Sequence, residues 1–452
     1  MGAPRRYFVH TFGCRVNQAD SAQVAAALDT VDAMERTTSH ADADVVVLNT
    51  CTVTHRSDAD VRKAVKRIQR ENPSAKVIIT GCYAQRDPEG AAALPGVGAV
   101  IGNAHKSRLP VVASDLMTPT AAPEARAPVV IHTPMDGVDP ELLPGVEPVT
   151  TVLDRTRPFV KIQDGCDAVC TYCIIPAVRG RARSATPQDV LHAVRTLVDQ
   201  GYVEIVLAGV HLGTYGRALV PPMDLGELVK RVLDVQGLVR LRLSAIEPMA
   251  FPMELARVAA ADPRLAPHFH LPLQSGSDRV LKRMVRPYRA KEFAELVAEL
   301  RSHVPDACVG TDVIVGFPGE DDAAFEASAA FVEEASGLDY VHVFSYSDRD
   351  GVPSTRLDAK VDPRIIKQRS TALHEVSARL WTRYVDGQVG RVRAGVSLER
   401  EGGLPGVVEV LTDNYIPVEV TGAALAPNQD VRVTITERVG NRARGVLQSL
   451  PA

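Results

Sequence analysis

The chain has 452 residues, 45% hydrophobic and 23% charged, a globular balance with room for roughly two to four domains. Its 51 basic and 55 acidic side chains give a net charge of −4, which excludes a generally basic nucleic-acid binder but leaves room for a local basic patch. No apolar run reaches the roughly 18 residues of a spanning helix, and MGAPRRYFVHTFGC lacks the core of a signal peptide, so no membrane partner and a cytoplasmic location are expected.

In chain order, residues 5–114 alternate strand and helix. YFVHTF, DVVVLNT and KVIITG are short β-branched runs suited to buried parallel strands, with helical patterns in NQADSAQVAAALD and SDADVRKAVKRIQREN. This predicts a small doubly wound α/β domain. Residues 115–150 are proline-rich and aperiodic and read as a linker or wrapping arm. From 151 to 384 the strand runs PFVKIQ, VEIVLAG, VRLRLSA, HFHLPL, ACVGTDVIV and DYVHVFSY, separated by helical stretches, predict a partial (βα)6 barrel, closed by a bridging helix near 363–385. The tail, 387–450, breaks into five short strands and predicts a small antiparallel barrel of the OB type.

Seven cysteines is an odd number for a disulfide framework, which a reducing compartment disfavours anyway, and thiols kept there are more often metal ligands or catalysts. Cys14, Cys51 and Cys82 each sit just past a predicted strand, and in a parallel sheet such ends gather on one edge. Gly13 and Gly81 permit tight turns beside them. Three unrelated packed cysteines are the bland alternative. Cys166, Cys170 and Cys173 follow the first barrel strand with spacing C-x3-C-x2-C, three soft thiols for iron–sulfur or zinc. Structural zinc needs a second CxxC-like pair, which is missing, so a three-ligand site with one open position is favoured. Cys308 begins a barrel strand and reads as core.

GCDAVCTYC after the first strand of a six-unit barrel strongly resembles the radical S-adenosylmethionine (SAM) enzymes. The resemblance implies that Cys166, Cys170 and Cys173 hold a 4Fe-4S cluster whose fourth iron binds SAM, that one electron cleaves SAM to a 5′-deoxyadenosyl radical, and that Tyr172 cradles the cofactor. The three-domain plan, ending in a TRAM-type barrel, is similar to the methylthiotransferases over nearly the whole chain. That family implies a second 4Fe-4S cluster on Cys14, Cys51 and Cys82, active in sulfur transfer. It also implies a tRNA partner and a flavodoxin- or ferredoxin-like electron donor. GCRVNQADS resembles the branch with lysine or arginine after the cysteine, which acts on N6-threonylcarbamoyladenosine; the others tend toward GCQMN and GCPKN. EIVLAGVHLGTYG, LRLSAIEP, LPLQSGSDRVLKRM and VFSYSDRDGVPS fit the same branch. Departures are His211, where asparagine is expected, and the alanine-rich DAVC before Cys170.

The implied function is 2-methylthiolation of threonylcarbamoyladenosine beside the tRNA anticodon. The alternatives are isopentenyladenosine or a ribosomal-protein aspartate as substrate, or, in a different class, a non-catalytic metal-stapled RNA-binding protein. Ser244, Glu247, Gln274, Ser275 and Asp312 follow strand ends and are candidate SAM or substrate contacts. GFPGE at 316–320 is either a cofactor-admitting turn or only a tight one. Arg179, Arg181 and Arg183, with Arg438, Arg442 and Arg444 in the tail, are candidate RNA contacts, against the reading of solvated basic loops. No cysteine lies beyond Cys308, so the tail is expected to be separable from the cluster chemistry.

Overall fold

The computed structural model describes residues 5–118, 127–138, 146–153, 156–399, 406–422 and 425–448. The N-terminal sheet contains β1 (Arg5–Thr11), β2 (Met34–Arg36), β3 (Val45–Thr50), β4 (Lys76–Gly81), β5 (Val97–Ile101) and β6 (Val129–Ile131), in the order β2-β1-β3-β4-β5-β6. Every pairing is parallel. β3 is buried along its whole length because helices cover both faces. Val46 and Leu48 pack on Val61, Val65 and Ile68 of helix His55–Glu71, while Val45 and Val47 pack with Val24, Ala25 and Leu28 of helix Arg15–Asp29. The doubly wound domain is as expected. The proline-rich segment is not only a linker, because β6 extends the sheet from within it. Its residues 119–126 and 139–145 lie outside the described residues, as do 449 and 450 of the tail.

The central domain contains β7 (Phe159–Lys161), a short hairpin of β8 (Gln163–Asp164) and β9 (Arg183–Ser184), then β10 (Glu204–Ala208), β11 (Arg240–Leu243), β12 (His268–His270), β13 (Cys308–Val315) and β14 (Tyr340–Ser345). Two parallel sheets, β11-β10-β7 and β12-β13-β14, are bridged where Leu241 pairs with Leu265, giving an arc of six strands. Alternate residues do different work. Val160, Ile205, Leu207, Leu241, Leu243, Phe269, Val309 and Val341 pack outward in one apolar core with the surrounding helices. The residues between them, including Lys161, Glu204, Arg242, His268, His270, Asp312, Tyr340 and His342, face a polar lumen.

Helix Pro363–Asp386 leads into β15 (Val392–Leu398), β16 (Val407–Thr412), β17 (Pro417–Thr421), β18 (Asp430–Val439) and β19 (Arg442–Leu447), a closed five-stranded barrel. Its pairs are antiparallel except β17 with β19. The turn between β16 and β17 plugs the bottom of the lumen. Tyr415 stacks on His268 with ring centroids 3.9 Å apart, and Arg242 donates to the carbonyls of Thr412 and Asp413, each at 3.0 Å. Cys308 is a core residue, as expected, packed with Tyr340, Tyr384 and the small barrel's own core. The tail is therefore not separable as its sequence suggested. Removing it uncovers Cys308 and strips the buried Arg242 of two acceptors.

Arg242 has no exposed surface and donates twice to Glu204, at 2.8 and 3.0 Å; Arg157 adds a third bond at 3.0 Å. Burial opposes the Glu204 charge, but these guanidiniums outweigh it and hold its carboxyl at about 2, below the usual 4.5. Glu204→Ala should cost about 3–5 kcal/mol, because it leaves buried cations unpaired. The stabilisation is complete above about pH 4.5 and fades as pH falls toward 2. Unfolding midpoints of the two proteins across that window should therefore converge at the acid end.

Candidate functional site

Cys14 caps helix Arg15–Asp29 just after β1, Cys51 follows β3 directly, and Cys82 opens the short helix Cys82–Arg86 after β4. Because β1, β3 and β4 are parallel neighbours, the three thiols meet on one sheet edge. The approach is close enough to require glycine twice. A Cβ on Gly13 would lie 2.5 Å from Cys51 Cβ and 2.8 Å from its Sγ, and one on Gly81 would lie 2.4 Å from the Thr50 carbonyl oxygen. Both glycines have φ near +90°. Burial, then the neighbouring Cys82 and Cys14, pushes the Cys51 thiol up to about 12. Such thiols ionise together only when a metal supplies the opposing charge, and soft donors suit iron–sulfur.

The second triad lies on the loop after β8. Gly165, with φ +71°, brings this loop against the segment before β9, where an added Cβ would sit 2.0 Å from the Arg181 carbonyl oxygen. Cys166 donates its backbone N–H to Gly180, Cys173 to Cys170 and Thr171 to Met284, at 3.1 Å each. Burial pushes the Cys173 thiol up to about 12. Arg286, buried, points Nη1 at Cys170 Sγ from 3.3 Å, pairs with Glu247, and donates to the Tyr288 hydroxyl at 2.9 Å. Sequence reasoning missed it, although MVRPYR directly continues a stretch that carried the resemblance.

A cavity of about 180 Å³ lies between the two domains, with Cys173 of the second triad in its wall and the loop directly after Cys51 facing it. Val53 and Thr54, just after Cys51, form one wall; Tyr172 and Cys173 form the other; Gln274, Asp312 and Phe344 complete it. Gln274 sits in left-handed backbone at φ +73°. His270 Nε2 lies 2.8 Å and His342 Nδ1 3.3 Å from Asp312 Oδ1. Burial disfavours the Asp312 charge, but the two histidines outweigh it and hold the carboxyl below its ordinary range. Glu247 stands one step away, engaged by Arg286. Ser244 accepts the Gly209 N–H at 3.4 Å and Ser275 the Ser277 N–H at 3.2 Å, so both support loops. The GFPGE turn is packed by protein: added Cβ atoms would meet Ile366 at Gly316 and Arg283 at Gly319. His211 is buried, donates its backbone N–H to Gln163 Oε1 at 2.7 Å, and has its pKa lowered by burial.

The candidate RNA arginines separate. Arg179 is not an open contact but a buried one: it donates to Asp164 at 2.8 Å and to Asp20 at 3.0 Å. Its charge acts on Cys82 and Cys14. Arg183 is half-buried, 3.9 Å from Asp164. Arg181 is exposed and meets Asp167 at 3.2 Å. In the tail Arg438 pairs with Asp386, Arg442 with Glu409 and Arg444 with Glu437. No helix among the described residues is long and apolar enough to cross a membrane.

Two family models match, "Uncharacterized protein family UPF0004" over residues 6–102 and "Radical SAM superfamily" over 160–332. The chain is 33% identical to the threonylcarbamoyladenosine tRNA methylthiotransferase MtaB of Aquifex aeolicus, over 91% of this chain and 96% of that one. It is 35% identical to the protein of the same name in Bacillus subtilis, over 94% and 92%. The chain belongs to the radical SAM methylthiotransferases. It is also 35% identical to the tRNA-2-methylthio-N6-dimethylallyladenosine synthase of Parafrankia sp., over 88% and 79%. In fold it is similar to the radical SAM methyltransferase TsrM of Kitasatospora setae, solved with cobalamin and a 4Fe-4S cluster, with TM-score 0.51 at 14% identity over 76% and 75%. This radical SAM enzyme uses SAM and 4Fe-4S clusters, and the donor sets fit. Each triad offers three soft thiols with a buried guanidinium beside it to offset cluster charge.

Gly13→Ala tests the first triad's packing. The new Cβ must displace Cys51, so iron after anaerobic reconstitution should fall from about eight to about four per chain. Unchanged iron would show that Cys51 is not held there as a ligand.

Proposed function

We propose that this chain installs a methylthio group at C2 of N6-threonylcarbamoyladenosine in tRNA, with one 4Fe-4S cluster on Cys166, Cys170 and Cys173 and another on Cys14, Cys51 and Cys82. The observation that carries the reading is the cavity between the two domains, lined by Cys173 of one triad and by Val53 and Thr54, which directly follow Cys51 of the other. The substrate follows the relatives that carry that name, which match this chain almost end to end. When bound, the Cys166–Cys173 cluster supplies the electron that cleaves SAM, while the other serves sulfur transfer, and a second SAM supplies the methyl group.

The protein's own residues shape the rest. A nucleotide in the anticodon loop is poorly stacked and enters a pocket at little cost. Tyr172, edge-on to Phe317 with centroids 6.4 Å apart, gives the cavity a rigid apolar wall that excludes water. Asp312, kept ionised by His270 and His342, presents an acceptor to a purine or carbamoyl N–H. Arg286 holds Glu247 in place and offers positive charge beside Cys170. Arg181, Arg183 and the tail arginines meet RNA phosphates. A flavodoxin- or ferredoxin-like protein donates electrons, and the reaction takes place in the cytoplasm.

Isopentenyladenosine is the second reading, because synthases acting on it match at the same identity. Nucleoside mass spectrometry of tRNA from a strain lacking this gene separates the two. The proposal predicts loss of 2-methylthio-threonylcarbamoyladenosine, accumulation of its precursor, and rescue by the wild-type gene. Cys173→Ala should fail to rescue and fail to cleave SAM. Cys51→Ala should also fail to rescue, yet the purified variant should still cleave SAM. Loss of the methylthio-isopentenyl nucleoside instead would establish the second reading.

A further inference from the structure

Arg15 directly follows Cys14 and turns from the N-terminal domain into the barrel. Its Nη2 lies 3.5 Å from the hydroxyl of Tyr415, the ring stacked on His268. The Arg15 charge also reaches Tyr340, and together with burial and Arg242 it depresses His268. The guanidinium therefore stands at the lower lumen, half-buried, beside three aromatic rings.

The other cations around it are matched. Arg242 has Glu204, Arg286 has Glu247, Lys161 has Asp20 and Asp164, and Arg240 has Asp430. Arg15 has no carboxylate within ion-pairing distance among the described residues. A half-buried guanidinium loses hydration, and one long bond to a neutral hydroxyl repays little of that until an anion arrives. Buried polar side chains of the lumen connect the cavity to Arg15. Asp312 pairs with His342 in register and Gly310 with Tyr340, so Asp312 in the cavity and Tyr340 near Arg15 stand two strand residues apart, about 7 Å. Between the cavity and Arg15 stand polar groups that can exchange partners: the Tyr340 hydroxyl lies 3.0 Å from His270 Nδ1 and 2.8 Å from His268 Nε2. An amino acid joined through a carbamoyl group to an adenine N6 spans a similar length and ends in a carboxylate.

We infer that Arg15 is a specificity-determining residue that binds the carboxylate of the threonyl side chain, an inference that rests on the substrate reading above. A neutral N6 substituent would leave the guanidinium enclosed and unpaired, so the same residue selects against uncharged hydrophobic modifications. It also ties the substrate to Cys14, one residue away.

The test uses the reconstituted full chain and two synthetic anticodon stem-loops, one carrying threonylcarbamoyladenosine and one carrying the same group as its primary amide. Wild type should favour the acid by about 10- to 100-fold in affinity and in kcat/KM. Arg15→Gln should abolish that preference, and Arg15→Lys should keep part of it. Iron content and low-temperature EPR check that the adjacent Cys14 site survives. Equal wild-type affinity for acid and amide, or an Arg15→Gln protein that keeps the full preference, would overturn the inference. The wild-type comparison decides the matter even if the glutamine variant loses its cluster. A wild type that binds and modifies neither loop would instead overturn the substrate reading itself.

Discussion

Everything at the site depends on how the N-terminal domain is locked to the barrel, and that lock is made of buried charge. Asp20, on the helix that Cys14 caps, accepts from Lys106, from Lys161 of β7 and from Arg179 of the barrel's first loop. Asp58, on the helix after Cys51, accepts from Arg349 at 2.6 Å and from Arg86 at 2.9 Å. Buried ion pairs stabilise little in net terms, because desolvation consumes most of the Coulomb gain. Their geometry is demanding, however, and an apolar interface would slide where these contacts do not. Val53 and Thr54, directly after Cys51, can face Tyr172 and Cys173 across one small cavity only if the two domains meet in a single register.

The same guanidiniums meet a second requirement. With the proposed assignment, two iron–sulfur clusters bound by six thiolates would bring negative charge into a space with little water. Arg179 acts on Cys82 and Cys14, and Arg286 contacts Cys170. Each is fixed by a carboxylate, Asp164 or Glu247, so neither is free to swing into solvent. The polar lumen continues this pattern downward until Tyr415 seals it. The tail is thus part of the barrel's floor as well as a candidate RNA surface.

The sequence revealed those parts of the fold that follow from period and spacing. β1, β3 and β4 stood out because β-branched runs in a parallel sheet have little other use, and the six cysteines stood out because their positions relative to strand ends are topological facts. β5, VGAVI, went unread because it is short and glycine-containing; β6 went unread because a three-residue edge strand carries no pattern. The roles of Arg179 and Arg286 were hidden for a different reason. A run such as RGRARS looks like a solvated basic loop, and only three-dimensional proximity to Asp20, distant in sequence, reveals that its first arginine is buried. The separable tail was a similar error: a barrel with its own core reads as independent, and the Tyr415 turn that enters the other domain leaves no mark on the strand pattern.

The central claim is that the two clusters lie close together, on either side of the cavity that Val53, Thr54, Tyr172 and Cys173 line, and the magnetic interaction between them tests it most directly. With both clusters reduced, the EPR spectrum of the wild-type chain should be broadened and should relax faster than the sum of spectra from two single-cluster variants, one lacking Cys51 and the other Cys173. A wild-type spectrum equal to that sum would place the clusters apart and contradict the account.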